Sequence, residues 1–213
     1  MPAYYAFLKN LMAKCYLTLL MSALTLIIFM IPDSKSLLSF NRVMILEDHQ
    51  WWRIVTSIFA HGSVDHLTWN LITLFSSSLI CEAISRKWFV FYLMVAVAGL
   101  TLFQLATYSD HTVGLGFSNV ASGSFCLLLL MIFKLGLQQG NRYIAMLPLI
   151  VLAAFVLHEL GLLGHSTGWE MLTGRAIDGV HGKALKAGHM VGIAIGACVG
   201  IAYNVFTPRR PQN

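Results

Sequence analysis

Charge is what this sequence has least of. Only 11% of its 213 residues are Asp, Glu, Lys or Arg, while 57% are hydrophobic, a balance that points away from a water-soluble domain and toward a membrane. The 14 Lys and Arg exceed the 9 acids to leave a net charge of +5. Those cations are scattered over loop ends and form no stripe interleaved with aromatics, so nucleic acid is not an expected partner. Cysteine is scarce as well: Cys15, Cys81, Cys126 and Cys198 lie far apart without paired metal-ligand spacing and read as packed thiols. Low-complexity tracts are missing, as is any internal repeat of the kind found in transporters built from two related halves. A helical zinc protease needs H-E-x-x-H, but Leu162 stands where the second ligand of His158-Glu159 should be. No metal and no cofactor are therefore expected. His158 and Glu159 read as the outer end of a span, and His111, His165 and His181 as outer-loop histidines.

What the chain does have is a series of apolar stretches near the roughly 20 residues needed to cross the hydrocarbon core. Six spans are expected, at about 11 to 31, 64 to 83, 88 to 107, 118 to 135, 143 to 161 and 184 to 206. The expected fold class is an all-α polytopic membrane protein: one membrane domain over 1–213, its six-helix core at about 11–206, surrounded by lipid. The first run is too long for a cleaved signal and ends in Ile31-Pro32-Asp33 without a small-residue cleavage pattern, so it reads as an anchor. Lys9, Lys14, Arg86, Lys87, Lys134, Arg142, Arg209 and Arg210 fall on one side, which predicts cytoplasmic termini. The bias is moderate, because Lys35, Arg42, Arg53, Arg175, Lys183 and Lys186 lie opposite, mixed with acids. The expected location is the bacterial cytoplasmic membrane.

Several polar groups sit inside these spans, where they are costly and usually functional. His66, Asn70, Thr73 and Ser77 recur at helical spacing and predict a polar face turned inward, with His61 one turn or so before it. The fourth span opens GLGFSNVASG, residues 114–123. Gly114 and Gly116 allow an irregular entry whose N–H groups could face a ligand, and Ser118 follows on the first helical turn, where N–H groups and the helix dipole favour an anion. A serine there is either a helix cap or a nucleophile. In the last span Gly188, Gly192, Gly196 and Gly200 form a row built for close helix packing, with His189 beside it. The row Ser118, Ser122 and Cys126 is the small-residue face expected to meet it. That contact would bring a hydroxyl and an imidazole together at membrane depth.

These residues resemble the rhomboid family of intramembrane serine proteases. The likeness runs through Trp52-Arg53, through His61, His66 and Asn70 in HGSVDHLTWN, through Gly116, Ser118 and Gly123 in GFSNVASG, and through Gly188-His189, Gly192 and Gly196 in AGHMVGIAIG. It implies a six-span rhomboid-like bundle and a Ser118–His189 dyad without a third acidic member, acting on transmembrane protein substrates. His66, Asn70 and the Ser118 backbone N–H would hold the oxyanion, with His61, Gly116, Asn119 and Ser122 as candidate supports. Two positions depart from the family pattern: Asn119 stands where glycine is usual, and Ser122 where a Phe or Tyr usually stacks on the histidine. A catalytically inactive relative that binds membrane clients for folding, trafficking or degradation is the alternative from another class. Rhombosortases, which trim C-terminal membrane anchors, are the alternative subclass.

Overall fold

The structure is a computed structural model that describes residues 13–162 and 179–208, with side chains from residue 187 onward in the second stretch. Lys9, His165, Arg175, Arg209 and Arg210 lie outside the described residues, as do the side chains of His181, Lys183 and Lys186. In chain order the helices are α1 (Tyr16–Phe29), the short α2 (Ser34–Leu38), α3 (Arg42–Leu46) and α4 (Arg53–Thr56), then α5 (Val64–Thr107), α6 (Ser118–Gln138), α7 (Arg142–Glu159) and α8 (Gly179–Phe206). Among the described residues α5, α6, α7 and α8 are long and apolar enough to cross a membrane, and α1 is apolar but only 14 residues long. This is an integral, multi-pass membrane protein.

α5 runs for 44 residues but breaks at Ser85, whose φ of −159° and ψ of 95° are non-helical. The break joins two helices where the sequence predicts two spans. The last helix begins at Gly179, ahead of the expected 184, so His181 falls in helical backbone and not in a loop.

α6 is the axis of the bundle. Of its apolar stretch 72% is buried, against 11% for α7, and it packs against α8, α5 and α7. Its first half is small enough to be approached from two sides. Toward α8, a methyl group added to Gly192 would collide with the Asn119 carbonyl, and one added to Gly196 with the carbonyl of Gly123. Gly188 lies against the Asn119 amide, and Gly200 against the Leu130 side chain. The glycine row therefore meets Asn119 and Gly123, one residue around the helix from the expected Ser118, Ser122 and Cys126. The reason is steric: the closest backbone approach selects Gly123, which has no side chain at all. Toward α5, the Ser77 and Ser124 hydroxyls lie 2.7 Å apart, and Tyr92 donates to the Val120 carbonyl at 2.5 Å.

The inward face of α5 is less purely polar than its spacing predicts. Asn70 and Ser77 are buried, but Leu67 and Leu74 are buried beside them, and half-buried Thr73 turns its hydroxyl to the Trp69 carbonyl of its own helix. The inward face is wider than one row because helices approach from both sides. Cys15, Cys81 and Cys126 are buried free thiols, whereas Cys198 is exposed, on the side of α8 away from the glycine seam.

One end of the bundle is tied by two buried charges. The Glu82 carboxylate accepts from the Leu17 and Thr18 N–H groups at 3.1 and 2.9 Å and from the Thr18 hydroxyl at 2.9 Å, which caps the N-terminus of α1 from a neighbouring helix. Arg86 donates to Glu82 and to the Ala13 and Lys14 carbonyls. Lys134 does the converse for the end of α8, donating to the carbonyls of Tyr203, Asn204 and Thr207 at 3.1, 2.9 and 2.5 Å. Negative charge at a helix start and positive charge at a helix end both oppose the helix dipole favourably.

Candidate active site

At the opposite end, the starts of α5 and α6 converge on a cavity of about 440 Å³ whose wall includes Ser57, His66, Gly116, Ser118 and Asn119. α5 is started by Ser63, whose hydroxyl accepts from the His66 N–H at 3.2 Å. That cap places His66 on the first turn and Asn70 one turn deeper. His61 precedes the cap and donates from Nδ1 to the Phe59 carbonyl at 3.0 Å. A carbonyl can only accept, so the neutral ring keeps its lone pair at Nε2, which receives the Asn70 amide at 2.9 Å. Burial pushes the His61 pKa below its ordinary 6.5, against the opposing pull of the Phe59 carbonyl, and this favours the neutral ring. His61 thereby orients Asn70. Its own ring lies 4.9 Å from that of His66 and borders a separate recess with Arg53 and Ser39.

Arg53 fixes the loop that precedes this corner. Buried, it donates to the Ser36 and Ser39 carbonyls at 2.9 and 2.8 Å and to Gln50 at 2.7 Å. A second tie comes from Gly116, whose N–H donates to the Ser57 carbonyl at 2.9 Å. That N–H is engaged and so is not the open donor the sequence suggests. Gly116 has φ of +93°, and an added Cβ would strike the His66 ring; only glycine lets the backbone turn here against that imidazole. Gly114 belongs to a two-residue strand, Val113–Gly114, paired antiparallel with Phe40–Asn41.

Ser118 is the first residue of α6. The N-cap is Phe117, which makes no side-chain cap bond, so capping does not explain the serine. At this position its own N–H has no acceptor within the helix. Ser122 donates its hydroxyl to the Ser118 carbonyl at 2.9 Å. Asn119 reaches across to Gly188, and its Oδ1 is buried without a hydrogen-bond partner.

His189 is held on α8 by the glycine seam on either side of it. Its Nδ1 lies 3.0 Å from Glu159 Oε2, at the end of α7. Its Nε2 is buried and has no hydrogen-bond partner, so the Ser118 hydroxyl is not bonded to it, and His189 does not line the cavity. The structure thus gathers His61, His66, Asn70, Gly116, Ser118 and Asn119 around one corner and sets His189 on the helix packed against Asn119. Glu159, expected from the sequence only at the outer end of a span, paired or solvated, was not expected at His189. The signal that could have found it is an acid at the end of a span beside a site histidine's helix.

The matching region of known families covers the same elements. The Rhomboid domain matches residues 48–205, from just before Arg53 to the last turn of α8. A curated protein of Bacillus subtilis (strain 168), named "Putative rhomboid protease YdcA", is 25% identical over 126 residues, which are 56% of this chain. The chain spans 62% of that relative's length. With the matched region holding both the cavity corner and the glycine-seamed helix of His189, the chain belongs to the rhomboid family.

Proposed function

We propose that this protein is an intramembrane serine endopeptidase in which Ser118 attacks a peptide carbonyl of a transmembrane substrate and His189 takes the hydroxyl proton. The observation that carries the reading is a serine at a helix start, on a cavity wall beside His66 and not used as a cap, next to a helix whose histidine keeps an unpartnered buried nitrogen. His66, Asn70 and the Ser118 N–H serve as oxyanion donors, with the Asn70 amide oriented by His61 and the other two carried on the first turns of α5 and α6. A donor set in place needs no reorganisation as charge develops, and in a site shielded from water it acts at low dielectric. The proton passes to His189 Nε2 once the Ser118 hydroxyl turns into hydrogen-bond distance, an alignment that resting enzymes often leave incomplete. His189 then donates it to the departing amine, and water hydrolyses the acyl-enzyme.

The wider reading is a six-pass bundle, with the break at Ser85 dividing two spans and both termini cytoplasmic, in the cytoplasmic membrane of a bacterium. Rhombosortase-like trimming of C-terminal anchors is the subclass alternative. A client-binding role without catalysis is favoured by one observation, the missing Ser118–His189 bond. The experiment that separates them is cleavage of single-span reporters together with fluorophosphonate labelling. Ser118→Ala is expected to lose both by about 1,000-fold or more. Client capture by a wild type that neither labels nor cleaves would overturn the protease reading.

A further inference from the structure

We propose that Glu159 is a positioning residue for His189, so that the site works as a Ser118–His189–Glu159 triad; this rests on the reading of Ser118 and His189 given above. The Nδ1–Oε2 distance is 3.0 Å, and both side chains are largely withdrawn from solvent, at 16% and 13% exposure. An ionised carboxylate only accepts hydrogen bonds, so the shared proton resides on Nδ1. The neutral imidazole then keeps its lone pair at Nε2, the buried nitrogen that has no partner. That is the tautomer a general base requires.

Two features make the contact more than incidental packing. Glu159 is the last residue of α7, where the negative end of the helix dipole disfavours a carboxylate, so its placement has to be offset by the groups it meets. Ser122 offers His189 no ring face, and its hydroxyl is turned to the Ser118 carbonyl. Orientation of the imidazole must come from elsewhere, and α7 supplies it.

In the reaction the Ser118 Oγ–H proton moves to Nε2 as Oγ bonds to the carbonyl carbon, and the carbonyl π pair moves onto oxygen. The resulting imidazolium keeps its Nδ1–H bond to Glu159, which stays ionised throughout. As the C–N bond breaks, the Nε2 proton passes to the amine nitrogen and the pair on oxygen restores the carbonyl.

The test compares Glu159→Gln, Glu159→Asp and Ser118→Ala in the purified full chain, reconstituted with a transmembrane reporter. A glutamine amide can turn its N–H toward Nδ1 and hold the proton on Nε2, so Glu159→Gln is expected to lower kcat by about 100-fold or more with KM within about threefold. Glu159→Asp is a poorer match in size but retains the acceptor, and should keep at least about tenfold more kcat than Glu159→Gln. Equal losses in the two variants would mark a packing role and overturn the triad, as would a Glu159→Gln kcat within about threefold of wild type. Either result beside an inactive Ser118→Ala leaves the protease reading standing. Unchanged cleavage by Ser118→Ala removes both.

Discussion

The two ends of the helix bundle treat their buried charged and imidazole groups differently, although Thr207 Oγ1 beside Lys134 is itself buried without a partner. At the end held by Glu82 and Lys134, each charge lies against the helix terminus of opposite sign and is surrounded by partners: three donors on the Glu82 carboxylate from α1, three carbonyls on the Lys134 ammonium. At the cavity end, His189 Nε2 and Asn119 Oδ1 are buried without partners. An unsatisfied buried polar atom costs about 1 to 3 kcal/mol, whereas a satisfied one contributes about 0.5 to 1.5 kcal/mol of stability, more when its partner is charged. The first end is built for stability. The second carries a cost that the proposed protease site would use to receive a reacting group.

That contrast can be broken most sharply at the cavity end. Asn70→Ala removes an amide already oriented by His61, and is expected to lower the fluorophosphonate labelling rate of the folded fraction by about 100-fold, with a stability loss of no more than about 1 to 3 kcal/mol from the His61 nitrogen left unpaired. A large loss of thermal stability with normal labelling of the folded fraction would instead make Asn70 a structural bond. Lys134→Met probes the other end. It strips a charged donor from three carbonyls at and just past the end of α8 and should cost about 2 kcal/mol of stability, read by thermal melting in detergent, with labelling of the folded fraction unchanged. The smallest effect is expected outside both networks, at the exposed Arg42–Asp110 pair, 2.8 Å long with side chains 39% and 57% exposed. Asp110→Asn should change stability by less than about 0.5 kcal/mol, and raising salt should change it no further.

Between the two ends runs the glycine seam, which explains how they stay in register. Gly192 and Gly196 meet the carbonyls of Asn119 and Gly123 so closely that α6 and α8 have little room to slide. The helix that carries His189 is thus locked at one end by Lys134 and along its length by contacts that tolerate no added methyl group. A histidine so held can be aimed by a single further contact, and Glu159 provides one.

Much of this was legible along the chain. Long apolar stretches, four polar residues at helical spacing, the Gly116–Ser118 entry and the Gly188–His189 row are local patterns, set by hydrocarbon thickness, helical period and the need for small residues where backbones touch. They fixed the family, the apolar helices and the candidate Ser118, His189, His66 and Asn70. What the tertiary structure alone decided are facts about pairs of distant residues. Glu159 meets His189 across 30 positions, Lys134 reaches Tyr203 across 69, and the seam uses Asn119 and Gly123 in place of Ser118 and Ser122. Periodicity reports which residues share a face, but not how far one helix is rotated against the next. That rotation is set by the closest steric fit of the whole bundle, and with it which nitrogen of a histidine is given a partner and which is left waiting.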